Sequence, residues 1–115
     1  MNTDRKQAIA VDFDGTLCKN EYPETGEPNY PLIEWLKEKQ GAGALIILWT
    51  CREGELLEKA VEWCRGYGLI FNAVNDNVQQ LKDLYGNDPR KVGADIYIDD
   101  KNILVDDFIS KEVSV

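Results

Sequence analysis

Residues 9–17 read IAVDFDGTL: an unbroken apolar run, then two aspartates one residue apart, then Gly15 and Thr16. A buried strand tolerates carboxylates at its end only where that end leaves the core, because an ionised group held in an apolar interior without a partner carries a heavy desolvation cost. Asp12 and Asp14 therefore mark an edge of the core where water or ions are met. A first strand is expected at 7–11. Three further stretches of the same apolar or β-branched character follow at 44–49, 69–74 and 95–98, and a shorter fifth at 102–105. Segments of helical spacing separate them. Such alternation predicts an α/β domain with a mainly parallel sheet of about five strands covered by helices on both faces, a three-layer αβα arrangement.

The clearest helix is expected over 54–67. There Leu56, Leu57, Ala60, Val61, Trp63 and Cys64 form one stripe, and Glu55, Glu58, Lys59 and Glu62 the other. Thr50 and Glu53 have the spacing of a capping box at its start. An earlier helix begins near Pro31, turns Leu32, Ile33, Trp35 and Leu36 inward, and stops at the break Gly41-Ala42-Gly43. A third covers about 77–85, with Asn75 or Asp76 as its cap. The one long loop, 17–30, carries Pro23, Gly26 and Pro28, and its 18–30 portion reads as a short flap.

A chain of 115 residues suits a single domain, 1–115, around one core. The net charge of −8 argues against coating nucleic acid, which selects clustered Lys and Arg. No apolar run approaches membrane-spanning length, and MNTDRKQ lacks the layout of a secretion signal, so a cytoplasmic protein without a membrane partner is expected. Cys18, Cys51 and Cys64 have no paired spacing and read as free thiols. The sequence contains no histidine. That removes Ser-His-Asp and Cys-His nucleophile systems and every histidine-ligated metal site, and leaves catalysis to carboxylates, hydroxyls, Lys and Arg.

In open parallel sheets the ligand site lies beyond the carboxyl ends of the strands, where strand order reverses. If the chain winds outward from strand one through strands two and three, then returns to the other side for strand four, strands two and four flank the first. Asp12, Thr50 and Asp99 then converge. Four carboxylates, those of Asp12, Asp14, Asp99 and Asp100, repel one another unless a cation sits among them or some are protonated, and a hard divalent cation is the simplest remedy. Magnesium suits such a group because it takes one or two carboxylates and leaves its other positions to water and phosphate oxygens. Lys91 and the Thr50 hydroxyl add donors for a phosphoryl group.

DFDGT at 12–16, the apolar strand ending at Thr50, Lys91, and the Asp99-Asp100 pair after a further apolar strand resemble the four signature motifs of the haloacid dehalogenase superfamily, in their usual order. The resemblance covers nearly the whole chain, and D-x-D-G-T would arise by chance only about once in a thousand chains of this size on average residue usage. It implies a Rossmann-like hydrolase domain in which Asp12 is the nucleophile that forms an aspartyl-phosphate. Asp14 would act as the acid and then the base. Thr50 and Lys91 would hold the phosphoryl group, and Asp12, Asp99, the backbone carbonyl of Asp14 and, through water or by orientation, Asp100 would serve the magnesium. An acid two residues after the nucleophile is the pattern of the phosphatase members. Neither 17–50 nor 50–91 has room for the cap domain that many members insert, which implies an open site able to take a phosphorylated small molecule or a bulkier substrate, or to borrow a wall from a second subunit in a homo-oligomer.

Narrower and contrasting readings stand beside this one. A 5′-nucleotidase is the nearest alternative, and a catalytically inactive phosphate- or metal-binding domain is the alternative outside enzymes. A receiver-type signalling domain would need an acceptor aspartate at the end of 69–74, which the sequence lacks. Arg90, Lys82 and Lys101 rival Lys91, and Asp106-Asp107 rivals Asp99-Asp100, although Lys91 and Gly93 lead into the first pair with the family's spacing. Arg52 reads either as a substrate-binding contact for an anion or as a solvated arginine near a helix start. Trp35, Trp49 and Trp63 read as core.

Overall fold

The apolar run before Asp12 becomes strand β1 (Ala8–Val11), buried along its whole length. The computed structural model describes residues 6–85 and 92–101. Among them β1 is followed by α1 (Tyr30–Gly41), β2 (Leu45–Leu48), α2 (Gly54–Gly66), β3 (Ala73–Val74), α3 (Gln79–Tyr85) and β4 (Ile96–Ile98). The strands form one parallel sheet in the order β3-β2-β1-β4. The chain thus does wind outward and return, and the two strands beside β1 are β2 and β4 as expected.

Alternation along the strands divides the core between the two faces of the sheet. Ile9, Val11, Ile46 and Leu48 pack with Ile33 and Leu36 of α1 and with Ala60 and Cys64 of α2. Ala8, Ala10 and Ile47 pack with Val78 and Val92 on the other side. Phe13, between the two aspartates, is fully buried, so the DFD segment is anchored in the core by its middle residue while Asp12 and Asp14 on either side are half-buried.

Local chemistry sets the helix ends. Asn29 caps α1 by accepting a hydrogen bond from the Leu32 amide, and Pro31 occupies the first turn, where its missing N–H costs nothing. Gly68, at φ +84°, closes α2 with hydrogen bonds from Gly68 N to Arg65 O and from Leu69 N to Cys64 O.

Several expectations need correction. The third strand is only Ala73–Val74 rather than 69–74: Leu69 turns into the core directly after α2, and Asn72 pairs with Ile46 partly through its side chain. No capping box forms, because Glu53 is the N-cap of α2 and makes no side-chain cap bond, while Thr50 Oγ1 accepts from the Arg52 amide at 3.2 Å. Trp63 packs against the core, but Trp35 and Trp49 are 36% and 43% exposed. The fifth strand at 102–105 lies outside the described residues.

Candidate metal and phosphate site

Register places the site. Val11 pairs with Leu48 on one side and Ile98 on the other, and the Asp12 amide donates to Ile98 O at 3.0 Å, so Asp12 and Asp99 leave adjacent strands side by side. One carboxylate oxygen from each of Asp12, Asp99 and Asp100 lies within 4.8 Å of the others. Asp12 is half-buried and the other two are exposed. Asp99 is oriented by the Lys101 amide, which donates to its Oδ1 at 2.8 Å. Gly15 makes the approach of Asp100 feasible: its φ of +83° suits glycine, and a Cβ there would collide with the Asp100 carboxylate.

Burial, above all, pushes the Asp12 carboxyl up from 3.8 to about 6; the charges of Asp99, Asp100 and Asp14 push it the same way, against a hydrogen bond from the Phe13 backbone. Desolvation and like charge thus act together on Asp12. A cation in the cluster would reverse that balance.

Asp14 departs from the expected four-carboxylate cluster. Its carboxylate is not among the three whose oxygens meet and takes a two-pronged ion pair from Arg52, Nε to Oδ2 and Nη2 to Oδ1, both at 2.8 Å. Charge complementarity explains the departure: a planar guanidinium fork matches a carboxylate edge better than three further negative groups do. Arg52 itself is neither solvated nor turned toward an open site. It is buried, and its remaining donors reach Pro23 O at 3.1 Å, Glu24 O at 2.9 Å and Leu56 O at 3.4 Å. The substrate-binding role expected of Arg52 is therefore not what this geometry provides. The usable signal in sequence was charge: Arg52 stands two residues beyond Thr50, at the strand end next to the DFD acids.

Thr50 lies one residue past the position beside Asp12, half-buried, with its amide donating to Asn75 Oδ1 at 2.7 Å. Its hydroxyl keeps donor capacity, since the bond it makes to Arg52 N is one it accepts. Of the rival cations, Lys82 pairs with Asp76 at 2.9 Å. Lys91, Arg90 and the pair Asp106-Asp107 lie outside the described residues. The three cysteines are unpaired, Cys51 exposed and Cys18 and Cys64 buried.

The 18–30 flap is a small hairpin packed beside the site. Lys19 N donates to Glu27 O at 2.8 Å, Glu24 N to Glu21 O at 2.8 Å and Asn29 N to Leu17 O at 2.9 Å. Lys59 of α2 holds Glu24 at 2.8 Å.

Among solved structures, the chain is similar to that of a conserved protein coded by a locus of Bacteroides thetaiotaomicron, with a TM-score of 0.75 and 40% sequence identity over 96% of this chain and 91% of the other. No family model matches the chain. No curated protein matches it.

Proposed function

This chain belongs to the same family as the conserved Bacteroides thetaiotaomicron protein, and from its own site residues we propose that it is a magnesium-dependent phosphatase acting on phosphate monoesters. The observation that carries this reading is the meeting of Asp12, Asp99 and Asp100 at the ends of two neighbouring strands, with an oxygen of each within 4.8 Å of the others. The donors are all oxygen and two of the three are exposed, which fits a hard cation that retains water and phosphate oxygens. Magnesium bound there would supply charge neutralisation for the cluster and for an incoming phosphoryl group.

The residues then divide the work. Asp12 attacks phosphorus to form an aspartyl-phosphate, and the bond from phosphorus to the leaving oxygen breaks as Asp14 gives that oxygen a proton. Asp14 next takes a proton from the water that hydrolyses the intermediate. Thr50 and, on the sequence pattern alone, Lys91 hold the phosphoryl oxygens. Membership of the haloacid dehalogenase superfamily as a capless form, a fifth strand and three full layers, and a cytoplasmic location belong to the same proposal.

Hydrolysis of an aryl phosphate with magnesium and with EDTA tests it. The wild type should turn over only with the metal, and Asp12→Asn should lose turnover while keeping its circular dichroism. Full activity in Asp12→Asn, or no hydrolysis across a panel of phosphorylated metabolites and nucleotides, overturns the proposal.

A further inference from the structure

We propose that Arg52 is a positioning residue that clasps Asp14 to the flap, so that the acid is correctly set only while the flap is seated; this deepens the phosphatase reading above and rests on it for the role of Asp14. The Arg52 side chain has no exposed surface, and a guanidinium in that position needs a partner for each of its five N–H groups. It has them: two oxygens of Asp14, the carbonyls of Pro23 and Glu24 in the flap, and the carbonyl of Leu56 in α2. No donor is left for a substrate anion. Its charge also lies 4.9 Å from the Phe13 ring centroid and 5.1 Å from that of Tyr22, a flap residue.

One rigid plane therefore joins three things that sequence separates: the acid at position 14, the flap turn at 22–24 and the first turn of α2. Lifting the flap would strip two carbonyls and a ring from a buried cation, and displacing Asp14 would leave the same cation without its counter-charge. Either loss exposes the other contact to water, so the two should move together. A lysine at this position keeps the charge but cannot present the fork.

Leaving-group dependence separates positioning from mere structural support. In the first half-reaction the proton that Asp14 donates matters for a strongly basic alkoxide and little for 2,4-dinitrophenolate. Arg52→Lys should lower kcat/KM, which reports the steps up to departure of the leaving group and not hydrolysis of the intermediate, by about 100-fold for an alkyl phosphate, the low end of what general acid catalysis supplies, and by no more than about threefold for 2,4-dinitrophenyl phosphate. Added to Asp14→Asn, it should cause no further loss on the alkyl ester, since coupled residues are non-additive. Hydrogen exchange at the Lys19 and Glu24 amides should rise by about tenfold in Arg52→Lys, as expected when a local opening becomes easier. Asp14→Asn, which leaves the guanidinium in place, should raise the same exchange and keeps the test open if Arg52→Lys does not fold. Equal losses on both esters, additive losses in the double variant, or unchanged flap exchange overturns the clasp while the phosphatase reading stands. Absence of hydrolysis in the wild type instead overturns the phosphatase reading, and the acid-positioning role with it.

Discussion

Asp12 holds the least favourable charge at the site, and the sign of its effect on stability follows from that. Burial first, then the neighbouring carboxylates, raise its carboxyl from 3.8 to about 6, so the folded state holds the proton more tightly than the unfolded chain. Its favourable contribution is complete below about pH 3.8 and is lost as pH rises through about 6. In EDTA at pH 7.5, Asp12→Asn should therefore melt a few degrees above the wild type, and the difference should shrink at pH 4. Magnesium should reverse the order, because only the wild type retains the full ligand set and a ligand that binds the native state alone stabilises it. Scanning calorimetry at the two pH values, with and without magnesium, checks both halves. An acidic cluster that weakens its own fold is consistent with function rather than with a structural role for these acids.

Among the elements, β3 shows where local pattern falls short. Its apolar residues suggested a strand over 69–74, yet ladder-like pairing before Ala73 is carried by Asn72, whose Oδ1 accepts from the Ile46 amide at 2.8 Å while its own amide donates to Ile46 O at 2.7 Å. Periodicity cannot reveal a side chain that imitates a backbone carbonyl. Asn72→Ala should cost about 1–2 kcal/mol in urea unfolding, the penalty for stranding the Ile46 N–H, and should leave kcat unchanged. The helices were more legible, because Pro31 and Gly68 mark their ends by backbone geometry rather than by partners. The segment between β2 and α2 was not: Thr50 and Glu53 have the right spacing for a cap, but the turn between them carries Arg52 inward, and that pull uses Thr50 for the Arg52 amide instead.

For the whole molecule, the order β3-β2-β1-β4 was readable because handed crossovers leave few ways to thread short parallel strands, and the acids at positions 12 and 99 are the ones that such threading makes neighbours. Asp100 joins them. The destination of Asp14 was hidden, since a sequence read alone does not say which buried charge finds which partner across 38 positions. The aromatic side of the core adds an optical consequence. Trp63 meets Phe13 edge-on with ring centroids 5.4 Å apart, and Phe13 separates the two acids at the strand end. An indole fluorophore thus sits one ring away from Asp12, and in a Trp35→Phe, Trp49→Phe background the proposed binding of magnesium to the cluster should change its emission, giving a titration that needs neither a substrate nor an added dye.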